Sequence, residues 1–460
     1  MAGDARYLSQ NDTVMWMMES DPLLRSTILG VVVLDRPPEW GALAERVERV
    51  THHVPTLRQK VVSPPLHPKT LRWVADPEFD LHYHLRRVSL PAPGRFGDLL
   101  DLARTSALGG FDRARPLWEF TLVEGLEDGG AALVMKAHHV LTDGIGSVQL
   151  AAHLFDFEPL DPDGGSAPPP DTGERPLDPM ELLRDVVEHE VGDVVDFARR
   201  NARSALPALV RAVRHPQEAI HETVETVRSL GRLVEPVDER LSPVMTDRKM
   251  FSEFNVVEVP LDELRRAAKA VGGTINDGFL AGVTGGLRRY HERHGAEVGD
   301  LRVAMPLSVR TDDDAEGGNH VTVLRFKVPV GVAEPAERVA ALHAATSEVR
   351  AERSIGYIEA VSGLLSWMPQ GVIGSMLKKV DFLASNVPGV TVPMYLVGSE
   401  VRRFFPFGPT AGSAVNATLM SYRDWACIGL NTDAAAIPDP EVFTECVDEG
   451  FAEVLALADG

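Results

Sequence analysis

The chain has 460 residues, 44% of them hydrophobic and 25% charged, and a formal net charge of −21. That length exceeds the roughly 100–200 residues of one domain and predicts two domains, each with a sizeable core. So acidic a chain excludes nucleic acid as its main partner, whereas local basic patches leave an anionic membrane surface open to it.

Other classes fall away on composition. Two cysteines, Cys427 and Cys446, cannot build a disulfide framework and suit a reducing cytosol. The opening stretch MAGDARYLSQNDTVMWMMES carries acids and lacks signal-peptide architecture. No uninterrupted apolar run reaches the roughly 18 residues of a membrane span. The expected location is the cytoplasm.

Residues 1–157 alternate short apolar strands with helical stretches, the pattern of an α/β (α+β) domain. Leu29–Leu34 reads as a strand, Trp40–Val50 and Leu99–Ala107 as amphipathic helices, and Leu117–Glu124 as a strand. The turn Glu127-Asp128-Gly129-Gly130 predicts a hairpin into the next strand, Ala131–Ala137. That strand runs straight into His138, His139, Asp143 and Gly144, followed by apolar residues at helical spacing from Val148 to Phe155.

Residues 158–250 read as a connector. Glu158–Pro179 is rich in Pro, Gly and Asp and predicts a linker. Met180–Val234 reads as helices broken at Pro207 and Pro216, with an arginine cluster from Arg199 to Arg214. A second domain, 251–460, follows. Val256–Val259, Leu301–Ser308, Val321–Val330, Val392–Val397 and Ala426–Leu430 predict strands. Leu261–Val271, Gly278–Tyr290, Ala336–Ala351 and Pro440–Ala458 predict helices. Gly363–Met376 is nearly chargeless but too short to span a bilayer, so it reads as a buried or interfacial helix.

The pattern HHxxxDG admits three chemistries. A metal site fits poorly, because successive strand residues point to opposite faces and no paired cysteines or third histidine lie close by. A structural histidine beside an Asp-Gly turn is the bland reading. General-base catalysis is the third: one histidine faces a cleft and takes a proton from a substrate hydroxyl, while the other faces the core. Imidazole suits the task because its ordinary pKa of about 6.5 lies near working pH. Asp143 would then fix the turn, and Gly144 would permit a backbone shape closed to other residues. No GxSxG elbow offers a serine nucleophile.

HHxxxDG in this setting resembles the superfamily of CoA-dependent acyltransferases and peptide-synthetase condensation domains. Further residues are similar to elements of the bacterial wax ester synthase/diacylglycerol acyltransferase family. Arg115-Pro116-Leu117-Trp118 resembles its PLW element, Thr274-Ile275-Asn276-Asp277 its ND element, and Ser385-Asn386-Val387-Pro388-Gly389 its SNVPG turn. Phe79–Arg86, Met305–Arg310, Gly318-Asn319 and Ser421-Tyr422 follow in the family's order, so the likeness runs from about Tyr7 to Ala458. Val390 departs from it, standing where the family commonly has proline.

The resemblance implies two chloramphenicol-acetyltransferase-like domains, mixed sheets flanked by helices, joined by a helical crossover. It implies O-acyl transfer from acyl-CoA to diacylglycerol or a long-chain alcohol, with acyl-CoA as co-substrate and no metal or other cofactor. His139 would be the base, His138 its inward partner, and Asp143 structural. Asn276 and Asp277 would organise the site or contact substrate, Ser385 and Asn386 would stabilise the thioester's oxyanion, and Trp118 would either line the acyl channel or be a strand-core aromatic. A peripheral place at the inner face of the plasma membrane or on lipid droplets is compatible with such substrates. The alternative is a condensation-type or non-catalytic module of the same fold that binds an acyl thioester.

Overall fold

The computed structural model describes residues 7–63, 70–141, 150–159, 240–308, 321–350 and 379–458. Asp143, Gly144, the 160–239 connector with its arginine cluster, the 309–320 loop and the 363–376 stretch lie outside the described residues.

Among the described residues two six-stranded mixed sheets dominate. The first runs in the order β11 (Tyr395–Leu396), β12 (Ser399–Phe407), β1 (Thr27–Leu34), β6 (Ala131–His138), β5 (Trp118–Glu124) and β4 (Leu85–Ser89). The second runs β7 (Ser252–Pro260), β14 (Trp425–Asp433), β13 (Val415–Tyr422), β10 (Phe382–Val390), β8 (Asp300–Ser308) and β9 (Val321–Pro329). A two-stranded sheet pairs β2 (Gln59–Val62) with β3 (Arg72–Ala75). The helices are α1 (Gln10–Met18), α2 (Trp40–His53), α3 (Leu81–His84), α4 (Phe96–Leu108), α5 (Leu261–Ala270), α6 (Ile275–Arg293), α7 (Pro335–Arg350) and α8 (Pro440–Leu455).

The expected hairpin is present: β5 and β6 pair antiparallel, with Trp118 opposite Ala137. β6 is apolar along most of its length because it lies mid-sheet, between β1 and β5, with side chains buried on both faces. β1 pairs with β6 from Thr27 opposite His138 to Leu34 opposite Ala131.

On its other side β1 takes β12, so the first sheet draws two of its six strands from the C-terminal half of the chain. This capture covers what would otherwise be an open, apolar strand edge. It also ties the two halves of the chain together beside the histidine motif.

Several elements differ from the sequence expectation. Ser385–Gly389 is not a turn: it lies within β10, where Ser385 and Asn386 stand opposite Thr418 and Leu419 of β13. Pro388 is tolerated there because pairing with β8 covers only Phe382 and Leu383, leaving no ladder bond at Pro388 on that side. Gly389 is required by contact, since a Cβ there would lie 1.6 Å from the Ser421 carbonyl oxygen. The Val392–Val397 strand shrinks to Tyr395–Leu396, and Val397 adopts a positive φ of 49° that turns the chain into β12. Neither β12 nor β13 is expected from sequence.

The second core packs α6 against α8 at backbone distance. A Cβ at Gly286 would meet the Val447 Cα at 2.6 Å, and one at Gly450 the Gly282 oxygen at 2.4 Å. The glycines in the GVTGG run therefore set helix separation. The buried Arg338 guanidinium locks α7 onto this pair, donating to Glu453 at 2.6 Å and to the Ala281 carbonyl at 3.1 Å.

Candidate active site

β6 ends at His138, and His139 opens a short 3-10 turn, His139–Leu141. The strand stops between the two histidines, so their side chains part through a change from strand to turn. Backbone bonds fix both. The His138 N–H donates to the Leu117 carbonyl and the His139 N–H to the Ser26 carbonyl, each at 2.9 Å.

His138 is 1% exposed, between the rings of Trp16 and Phe111. Its Nδ1 accepts from the Val140 N–H at 3.2 Å, which leaves the ring hydrogen on Nε2. Nε2 lies 3.1 Å from Glu19 Oε1. The same Glu19 oxygen accepts from the Ser26 N–H at 2.8 Å. Burial alone would raise the Glu19 carboxyl, but His138, the Ser26 N–H and Arg113 outweigh it and hold the group below its ordinary value. Nδ1 is taken by the Val140 N–H, while Nε2 stands at ion-pair distance from Glu19 without completing a hydrogen bond. Inward placement of His138 agrees with the sequence expectation.

His139 is half-buried. Burial pushes its pKa below the ordinary imidazole value, and the neighbouring His138 pushes it further in the same direction. The ring is therefore neutral at neutral pH, the state a general base needs. Ser26 links the two sides of the arrangement: its carbonyl holds His139 and its N–H holds Glu19, which holds His138.

Sequence reasoning does not single out Glu19. A signal existed. A carboxylate at the C-terminal end of α1 opposes the helix macrodipole, and such a residue survives where a specific partner stabilises it. Sequence alone does not reveal that the partner lies 119 positions away, at His138 (138 − 19).

The remaining expected residues scatter. Asp277 is 1% exposed and caps α6: it accepts from the Thr274 N–H and Oγ1, both at 2.8 Å, in a reciprocal capping box. It also accepts from His343 Nδ1 at 2.8 Å and Thr346 Oγ1 at 3.1 Å, tying α6 to α7. Here it is an organiser of the second half. Asn276, beside it, is partly buried. Trp118 is fully buried in the first core, its indole N–H donating to the Leu57 carbonyl at 2.8 Å and its ring stacked on His84 at 4.6 Å. That surrounding leaves no face for substrate, so in this structure Trp118 is a core residue. Ser385 and Asn386 are half-buried on β10. Asp143 and Gly144 lie outside the described residues.

The profile of the wax ester synthase/diacylglycerol acyltransferase catalytic domain matches residues 8–279, and that of the family's C-terminal domain matches 317–454. A Mycobacterium tuberculosis relative, named for diacylglycerol O-acyltransferase activity, is 36% identical over 457 residues, 98% of this chain and 91% of the relative. Among solved structures, the wax ester synthase/diacylglycerol acyltransferase of Marinobacter aquaeolei superposes with a TM-score of 0.65 at 21% identity. That match covers 99% of this chain and 100% of the other. A starter condensation domain of rhizomide synthetase, solved with C8-CoA and Leu-SNAC, superposes at 0.57 and 13% identity over 99% and 95% of the two chains. The structural likenesses show the fold, that of chloramphenicol-acetyltransferase-like and condensation domains. Together with the two profiles and the near full-length relative, they establish that the chain belongs to the wax ester synthase/diacylglycerol acyltransferase family and is an acyltransferase.

Proposed function

We propose that the chain moves a fatty acyl group from acyl-CoA directly onto the hydroxyl of diacylglycerol or a long-chain alcohol, with His139 as general base. The observation that carries this reading is the half-buried His139 held at the end of β6 by Ser26 and backed by the His138–Glu19 pair, with burial pushing its pKa below the ordinary imidazole value. As the acceptor oxygen attacks the thioester carbonyl carbon, its proton passes to the His139 imidazole. The carbon–sulfur bond then breaks, and the departing thiolate takes the proton to leave as CoA thiol. Thiolate is a good leaving group, so the base and two aligned substrates suffice, with acyl-CoA as co-substrate and no further cofactor.

A covalent enzyme intermediate finds no support in the cysteines. Cys427 and Cys446 are buried, and burial pushes both thiols up to about 11, so neither supplies a thiolate near neutral pH. Ser385 and Asn386 are neutral donors suited to the developing oxyanion. Diacylglycerol is the favoured acceptor because the 36% identical relative carries that name.

Such substrates live in lipid, and we place the chain at a lipid surface as a peripheral protein. Among the described residues no helix is long and apolar enough to cross a membrane. Met250 and Phe251, 50% and 64% exposed, offer adjacent apolar side chains for that contact.

Incubation with acyl-CoA and each acceptor, read by release of free CoA thiol, tests the activity. Thiol release only in the presence of an acceptor is expected. An acyl adduct on the protein after acyl-CoA alone, discharged by later addition of alcohol, overturns direct transfer.

A further inference from the structure

The 109–117 loop joins α4 to β5 and belongs to neither helix nor strand. It is nevertheless pinned beside the histidine pair. At its start Arg25 Nη1 donates to the Leu108 carbonyl at 2.7 Å. At its centre Asp112 folds a turn, its carboxylate accepting from the Ala114 N–H at 2.9 Å. Two residues of this loop, Phe111 and Arg113, reach the surroundings of His138 by different routes. Phe111 meets the His138 ring edge-on, with centroids 6.1 Å apart. Over the Phe111 ring stands Lys136, its Nζ 4.4 Å from the centroid. Lys136 and His138 alternate with Ala137 on β6 and so share a face of the strand. Arg113 lies over Trp16, 4.4 Å from that centroid, and Trp16 packs on His138 at 5.9 Å. Arg113 also reaches Glu19 at 4.0 Å. His138 thus lies between two aromatic rings, and each ring carries a cation.

Lys136 is the less expected of the two cations. Its side chain is 3% exposed, and burial pushes its pKa below the ordinary lysine value, against the pull of Glu119. Glu119 stands 3.7 Å away and gives its other oxygen to Arg86 at 2.9 Å, so it is a distant and shared partner. A methionine would fill the same space without the cost of a buried charge. What a methionine cannot do is orient a ring electrostatically: a cation over an aromatic face is attracted most strongly where water is excluded.

We propose that Lys136 and Phe111 are positioning residues for the acyl transfer, with the 109–117 loop closing on His138 as a clamp, an assignment that rests on the acyl-transfer reading above. Lys136 fixes the Phe111 ring, Arg113 fixes the Trp16 ring, and the two rings hold the His138 imidazole in one orientation. Because His139 follows directly in the chain, a loosened His138 lets the base leave its position at the end of β6. Lys136 and Phe111 act only through His138.

The test is steady-state kinetics on the full chain, read by CoA thiol release, beside chemical denaturation of the same preparations. Lys136→Met keeps a stem of similar length and removes the cation. It is expected to lower kcat about tenfold, to leave KM for both substrates unchanged, and to be no less stable than wild type, because Arg86 still pairs with Glu119. Phe111→Leu lowers kcat by about the same factor, whereas Phe111→Tyr, which keeps the ring, stays within about twofold of wild type. The double variant Lys136→Met/Phe111→Leu loses about tenfold and not about a hundredfold, since the cation works through the ring. Wild-type kcat in Lys136→Met or in Phe111→Leu, or multiplied losses in the double variant, overturns the clamp. If Lys136→Met does not fold, the two Phe111 variants decide by themselves, and equal kcat in both overturns the clamp. Absence of thiol release by the wild type with either acceptor overturns the acyl-transfer reading alone. The clamp is then decided by the imidazole resonances of the full chain with isotope-labelled histidines. Lys136→Met is expected to move those of His138 and leave those of His291 in place; unmoved His138 resonances overturn it.

Discussion

Glu19 Oε1 and His138 Nε2 lie 3.1 Å apart inside the first core, and the same carboxylate oxygen holds the Ser26 N–H at 2.8 Å. Because the Ser26 carbonyl in turn holds the His139 backbone, one buried carboxylate governs the position of both histidines. Removing it disturbs the site from behind, with no change in any group that meets substrate.

Glu19→Ala is expected to lose about 1.5–3 kcal/mol of stability, the range for a hydrogen bond to a charged group, and to lower kcat about 10–100-fold with KM little changed. Glu19→Gln, which keeps an acceptor but loses the charge, should fall between. Chemical denaturation and steady-state rates on the same preparations check both. Wild-type kcat in a destabilised Glu19→Ala protein would reduce Glu19 to a purely structural residue.

His139→Ala should fold and bind acyl-CoA yet lose about 10²–10⁴-fold in kcat. In the wild type the base is neutral above its lowered pKa. The profile of kcat/KM should therefore be flat from neutral pH down past about 6.5, the ordinary imidazole value, and decline only on the acid side of it. A midpoint above 6.5 would contradict the assignment.

Stability should also fall with acid. Burial lowers the pKa of His84, of His291 and of His139. Each imidazole binds protons more readily in the unfolded chain, so stability rises with pH between the folded and unfolded values. The contribution is complete above about pH 6.5 and declines as pH drops toward the folded values. His84, stacked between Phe79 and Trp118, is the cleanest probe. His84→Phe keeps the stack, removes the titration, and should show a smaller stability difference between pH 7.5 and 5.5. Denaturation curves at the two values measure it; an unchanged difference would remove His84 from this account.

Asp277→Ala should separate architecture from chemistry. Loss of the capping box costs about 0.5–2 kcal/mol, and the abandoned donors on His343 and Thr346 add to it, so the melting temperature drops by several degrees. At a temperature where the variant is folded, kcat should stay within about twofold of wild type. A large kcat loss without thermal destabilisation would move Asp277 into the reaction.

The elements with strong local patterns were determined by sequence. The β5–β6 hairpin and the helix over Gly278–Tyr290 follow from a turn and from apolar periodicity, both short-range signals, and the structure extends that helix to Ile275–Arg293. The tandem histidines and their opposed facing were legible for the same reason. Tertiary structure alone decided how far those patterns reach. Ser385–Gly389 is a turn by its resemblance to the family's SNVPG element, yet partners on β13 hold it in a strand with one side open. β12 lacks any strand signal of its own sufficient to place it, and the exposed edge of β1 recruits it. For Trp118 the sequence leaves a strand-core aromatic and a channel lining both open, and His84 and Leu57 enclose it in the core. Glu19 and His138 share no local pattern, since hydrogen bonds and burial depend on distance in space, which periodicity along the chain does not encode.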